Sequence, residues 1–83
     1  MNENCVIVRC VANDGPQLKL KVKRTTRMEK LFKTFSEQTG WPQGGLRFIF
    51  EGKRISGWDT PESLHLSDDD FIAVFQEQLG GQP

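Results

Sequence analysis

Apolar and polar residues change period several times along this chain, and each change marks an element. Val6, Val8 and Cys10 alternate with Ile7, Arg9 and Val11, a period of two with one strongly apolar face, which predicts a strand. Asn13-Asp14-Gly15-Pro16 is a dense turn signal. Leu18, Leu20 and Val22 then alternate strictly with Lys19, Lys21 and Lys23, so the two runs predict a β-hairpin with a turn longer than two residues. Next the period lengthens: Met28, Leu31, Phe32 and Phe35 share one side of a helix. Thr26-Arg27-Met28-Glu29 matches a capping box, in which the Thr26 hydroxyl accepts from the Glu29 amide and the Glu29 carboxylate accepts from the Thr26 amide. Gly40 stops the helix and Pro42 prevents its resumption, giving a predicted span of about 27 to 39.

Leu46-Arg47-Phe48-Ile49-Phe50 predicts a third strand, Glu51-Gly52 a turn, and Lys53-Arg54-Ile55 a short fourth strand. Thr60-Pro61-Glu62-Ser63-Leu64 reads as one turn of helix with a threonine cap and proline next to it. Asp68-Asp69-Asp70 is an acidic loop, and Phe71-Ile72-Ala73-Val74-Phe75 is the last long strand. The order is hairpin, helix, strand, short strand, turn of helix, strand. The first and last long strands can lie side by side, parallel, with the main helix across one face. That is an α+β, β-grasp arrangement with a mixed sheet. No repeat or internal linker interrupts it, and the chain divides into a short arm at 1–4, a domain at 5–78 and a tail at 79–83.

Composition narrows the function. The chain has 83 residues, 36% of them hydrophobic, with six Phe and two Trp, enough for one small core. Its formal net charge is zero, which argues against a broad basic field for nucleic acid or an anionic membrane, while leaving room for local segregation. No apolar run reaches membrane-spanning length, and Met1-Asn2-Glu3-Asn4 carries no secretory pattern. Cys5 and Cys10, five positions apart on one strand, face opposite sides and stand roughly 16 Å apart, beyond disulfide reach. A reducing, intracellular setting and a core role for Cys10 fit this pattern. No metal-ligand spacing is present, the three aspartates lack the glycine-spaced calcium loop, and no cofactor is expected. His65 is the lone histidine; a hydrolase would need Cys5 or Cys10, His65 and a carboxylate to converge, so no catalytic residue is assigned.

Near the end, Gly80-Gly81 follow the polar run Gln76-Glu77-Gln78-Leu79. A glycine pair there is either a frayed terminus or a segment narrow enough to lie extended in a tight channel on another protein. Three stretches favour the second. Leu46-Arg47-Phe48-Ile49-Phe50-Glu51-Gly52-Lys53-Arg54-Ile55, Asp59-Thr60-Pro61, and Gln76-Glu77-Gln78-Leu79-Gly80-Gly81 strongly resemble the small ubiquitin-like modifier (SUMO) family, and Val22-Lys23 with Thr25-Thr26 also fits. The resemblance runs from about Cys5 to Gly81. It implies the ubiquitin-like β-grasp fold and a substrate rather than an enzyme. A SUMO-specific protease would cut after Gly81, releasing Gln82-Pro83. An activating enzyme would adenylate the Gly81 carboxylate and take it as a thioester, and a conjugating enzyme would pass it to a lysine of a target protein as an isopeptide bond. It also implies nuclear and cytoplasmic residence, with no direct role for nucleic acid or membrane.

Two surfaces follow from the residues and the resemblance together. Leu18, Leu20 and Val22 point one way, with Leu31 and Phe35 of the helix beside them and Lys21, Lys23 and Lys30 around the rim. Such an edge can take an extended peptide as an added strand, its lysines attracting acidic or phosphorylated flanks. The plainer reading makes the apolar residues core and the lysines a guard against edge-to-edge aggregation. In SUMO the matching groove binds short hydrophobic, acid-flanked motifs. Arg47, Glu51, Asp68, Asp69 and Asp70 match the surface that meets the conjugating enzyme. The plainer reading there is a solvated loop whose first carboxylate orients the last strand.

The chain also departs from the family. Its arm is short and lacks lysine, and no lysine sits in a hydrophobic-Lys-x-acidic context, so self-chaining by the usual motif is not expected. Phe32 takes a commonly polar position, and Phe35 one that often carries tyrosine. Trp41 and Trp58 either pack locally or form an apolar patch. The competing functional reading is a SUMO-like domain that only binds partners non-covalently.

Overall fold

The alternation at the start of the chain produces the hairpin it predicts. In the structure, a computed structural model describing residues 4–13 and 15–76, β1 (Cys5–Ala12) pairs antiparallel with β2 (Gln17–Lys23), from Cys5 opposite Lys23 to Val11 opposite Gln17. After the helix α1 (Met28–Thr39) and a short 3-10 turn at Gln43–Gly45 come β3 (Leu46–Phe50), β4 (Lys53–Arg54) and β5 (Asp70–Gln76). The strands form one mixed sheet in the order β2-β1-β5-β3-β4. β5 runs parallel to β1 and antiparallel to β3, so the expected parallel pairing of the first and last long strands is present.

Period two decides which side chains enter the core. Val6, Val8 and Cys10 of β1, Leu46 and Phe48 of β3, and Ile72 and Val74 of β5 are buried on one face. Met28, Leu31 and Phe35 of α1 close over them. Phe35 is fully buried, edge-on to Phe48 at 5.7 Å and to Trp41 at 6.3 Å, while Phe32 stacks on Phe48 at 4.2 Å. Aromatic pairs at such distances add stabilisation beyond the area they bury. Trp41 packs locally: its ring lies over Gly15 at the hairpin tip, where a Cβ would come within 2.6 Å of it. Trp58 does the opposite and is 75% exposed.

The capping box does not form. The Glu29 amide, assigned to the Thr26 hydroxyl, donates instead to the Gly57 carbonyl at 2.8 Å, and the Thr26 amide donates to the Lys23 carbonyl at 3.0 Å. The helix begins at Met28, one residue later than predicted, and the Met28 amide donates to the Asp59 carbonyl at 2.7 Å. Helix starts need acceptors for their first amides, and here a distant loop supplies them. That loop is held by Asp59, whose carboxylate accepts from the Ser56 amide at 2.8 Å. Gly40 ends the helix as predicted, in the left-handed region at φ 82°, its amide donating to the Ser36 carbonyl. The residues from Thr60 form a capped turn rather than a helix. The Thr60 hydroxyl accepts from the Ser63 amide, the Ser63 hydroxyl accepts from the Thr60 amide, and Leu64 donates to the Thr60 carbonyl. His65, at φ 58°, turns the chain away before a second turn can form.

Both cysteines are free, with Cys10 buried and Cys5 partly so. Burial pushes the Cys10 thiol up from 9.0 to about 12. The folded state therefore favours the neutral thiol. Its contribution to stability is complete below pH 9.0 and is lost as pH rises from there to about 12. Replacing Cys10 by alanine should remove that alkaline component, seen as a flatter difference in urea midpoint over this window. In the parent chain at lower pH, a thiol reagent should modify Cys5 in the native state and reach Cys10 only on unfolding. Phe35→Ala should cost about 3–5 kcal/mol, against less than about 0.5 for Trp58→Ala, by urea denaturation.

Candidate functional site

The sheet order leaves β2 as an edge strand beside α1. Between them lies a groove of about 280 Å³ with Leu20, Val22 and Leu31 along its floor and Lys21, Lys23 and Lys30 at its rim. The alternation explains this arrangement: Leu20 and Val22 turn inward beneath the helix while the lysines stay exposed. Thr26 and Thr34 complete the walls and were missed in the sequence. The available signal was Thr34's helical spacing, four residues after Lys30. Phe35, one turn beyond Leu31 on α1, is not among the residues lining this hollow and packs edge-on to Phe48 and Trp41. Leu18 is half-buried and packs against the core beyond the groove.

The acidic run is divided in its work. The Asp68 carboxylate accepts from the Ile7 amide at 2.9 Å, tying the loop to β1, and the Asp70 carboxylate accepts from the Ser67 amide at 2.8 Å. Asp69 sits in the left-handed region at φ 71°, and its carboxylate lies 3.9 Å from the Lys19 ammonium. Both carboxylate and ammonium are well exposed, so the pair contributes little to stability. Glu51 and Asp70 meet in a shallow hollow of about 290 Å³ shared with Phe50 and Gly52. Arg47 is not part of it: opposite Phe75 in the register, it lies toward the other end of β5, its guanidinium 5.9 Å from the Phe75 ring centre.

Gly80 and Gly81 lie outside the described residues, as do Gln82 and Pro83. Cys10 is sealed in the core, while Cys5 faces the other side of β1. Among the described residues no cluster of three His, Cys, Asp or Glu could hold a metal ion, and no helix is long and apolar enough to cross a membrane.

Residues 6–76 match the family described as ubiquitin-2 like Rad60 SUMO-like. The chain belongs to this SUMO-like family. It is 42% identical over 80 residues to the small ubiquitin-related modifier of Caenorhabditis elegans, covering 96% of this chain and 88% of that protein. The fold has a wider likeness: the Caldiarchaeum subterraneum ubiquitin superposes with a TM-score of 0.83 at 20% identity, covering 93% of this chain and 99% of that one. For a SUMO-like domain the groove beside β2 is then the surface whose chemistry is most open to test. Lys21→Glu combined with Lys23→Glu should weaken an extended aliphatic peptide with glutamate flanks, measured by calorimetric titration. The loss should be on the order of tenfold at low salt and smaller at about 0.15 M, where the screening length is ~8 Å.

Proposed function

We propose that this SUMO-like protein is a conjugatable modifier, activated through the Gly81 carboxylate and joined to target lysines. The observation that carries the reading is the sequence Gln76-Glu77-Gln78-Leu79-Gly80-Gly81, which follows directly from the end of β5 in a chain of this family. Its likeness to a small ubiquitin-related modifier supports the same role. A SUMO-specific protease cuts the Gly81–Gln82 bond. An activating enzyme adenylates the freed carboxylate and takes it as a thioester on its own cysteine, and a conjugating enzyme transfers it to the lysine amine. Every nucleophile belongs to another molecule, so this chain acts as a substrate and a signal, without catalysis or cofactor. The protein works in the nucleus and cytoplasm.

The physical requirement at Gly80 and Gly81 is narrowness. Without Cβ atoms the two residues can pass extended through a channel to a buried cysteine. Once attached, the protein is read through the β2–α1 groove by extended acid-flanked peptides. The carboxylates of Glu51 and Asp70, with Asp69 beyond them, offer a negative surface to a basic face of the conjugating enzyme.

Gly81→Val should abolish both cleavage and the ATP-dependent thioester while leaving the unfolding free energy, from urea denaturation, within about 0.5 kcal/mol of the parent. Mass spectrometry after protease treatment, and a non-reducing gel with the activating enzyme, read the two steps. Normal processing and thioester formation by the valine variant would remove the basis of this reading.

A further inference from the structure

The loop that leads into β5 presents a hydroxyl directly ahead of carboxylates. Leu66 is buried and anchors the loop, while Ser67, Asp68 and Asp69 after it are exposed. Counting on from Ser67, the next three positions are Asp68, Asp69 and Asp70. The sequence has no lysine or arginine after Arg54, so the segment around this hydroxyl is acidic on both sides. The fold holds the loop by its backbone. The Ser67 amide donates to the Asp70 carboxylate at 2.8 Å, and the Ser67 carbonyl accepts from the Asp70 amide at 3.0 Å. Neither bond uses the Ser67 hydroxyl. A cation reaches the same place from another element. Arg24, the first residue after β2, donates from its guanidinium to the Leu66 carbonyl at 3.2 Å, and its own carbonyl accepts from the Glu62 amide at 3.0 Å. The guanidinium is therefore fixed one peptide unit from Ser67.

We propose that Ser67 is a phosphorylation site for an acidophilic protein kinase, and that the Arg24 guanidinium receives the phosphoryl group. The Ser67 oxygen attacks the γ-phosphorus of ATP. Its new O–P bond forms as the bond from that phosphorus to the bridging oxygen breaks, ADP leaves, and the hydroxyl proton passes to the base of the kinase. The class of kinase follows from charge. A substrate cleft lined with lysine and arginine is complementary to carboxylates after the acceptor, whereas a cleft built for basic substrates would repel them. The role of Arg24 follows from position. A phosphoserine carries about two negative charges and three acceptor oxygens. Beside Asp68, Asp69 and Asp70 that charge is repelled, and a guanidinium already bonded at Leu66 offsets the repulsion with a charge-assisted hydrogen bond. The other cations at this loop are engaged one step further on: the Arg9 guanidinium donates to the Asp69 carbonyl at 3.2 Å, and the Lys19 ammonium faces the Asp69 carboxylate. Phosphorylation would thus tie the loop to the end of β2 and change its charge reversibly. It requires neither conjugation through Gly81 nor the β2–α1 groove.

The test is a kinase assay on the folded full chain with casein kinase II, an acidophilic enzyme, and radiolabelled ATP. Tandem mass spectrometry should place the phosphoryl group on Ser67, and Ser67→Ala should remove it. Asp69→Asn with Asp70→Asn keeps an acceptor for the Ser67 amide, and should lower kcat/KM on the order of tenfold or more. The cyclic-AMP-dependent kinase, which selects basic substrates, should leave Ser67 unlabelled. Arg24 is tested on the isotope-labelled product, where its Nε–H resonance should move on phosphorylation. Arg24→Gln should also lower the urea midpoint of the phosphorylated chain by more than that of the unmodified chain, a difference that a purely structural role for Arg24 would not produce. Labelling confined to other residues, labelling that appears only in urea, or a rate untouched by the two asparagines would overturn the proposal. An equal effect of Arg24→Gln on both forms would overturn the assignment of Arg24. Ser67→Ala leaves Gly81 in place, so protease processing and thioester formation by that variant read the conjugation function separately.

Discussion

The parallel pairing of β1 with β5 is the constraint on which the rest of the fold depends. It joins the amino-terminal hairpin to the β3–β4 pair, and without it the two halves would share no ladder. A parallel pair needs a long crossover, and this chain spends α1, β3, β4 and the Thr60 turn on that return. The loop then has to deliver β5 in the correct register. Asp68 and Asp69 do this on a single residue of β1. The Asp68 carboxylate accepts from the Ile7 amide, while the Asp69 amide donates to the Ile7 carbonyl at 2.8 Å. A one-residue slip here would send Ile72 and Val74 to solvent and Phe71, Ala73 and Phe75 into the core.

The same constraint positions the surfaces. With β1 and β5 at the centre, β2 is left at the edge with its inward residues only half-buried beneath α1. The groove beside it is a consequence of where the sheet ends. The helix depends on a loop distant in sequence for its start, because the loop closed by Ser56 and Asp59 carries the carbonyls that receive its first amides. Gly57 approaches Glu29 closely there, a Cβ at Gly57 falling 3.4 Å from that of Glu29.

The strands and the helix were legible because their periods were clean. Lys19, Lys21 and Lys23 between three aliphatic residues leave little choice of face, and Gly40 marks the helix end by its left-handed backbone. What failed was everything settled by distant partners. The capping box at Thr26 had the right residues at the right spacing, yet the amides were already taken by Lys23 and Gly57. Phe35 shares a helix side with Leu31, yet only Leu31 lines the hollow, because spacing does not show how far along the helix a groove extends. The single turn at Thr60 kept its cap and its Leu64-to-Thr60 hydrogen bond, and His65, in the left-handed region, ends it there. Gly80 and Gly81 can be read from the sequence alone, since they lie outside the described residues, whereas the pairing of Arg9 with Phe71 and of Arg47 with Phe75 needed the strand order before the residues could be seen as neighbours.

The β1–β5 ladder also has a mechanical side. β1 leaves the amino-terminal arm at one end of the sheet, and β5 runs alongside it and exits at the other. Tension between the two ends of the chain therefore pulls these strands along their length in opposite directions. Their hydrogen bonds are loaded together in shear rather than peeled one after another, and survival under pull becomes a matter of the unfolding rate. A protein held through the segment after β5 and drawn from its amino-terminal side would resist extraction at the same strands that define its fold.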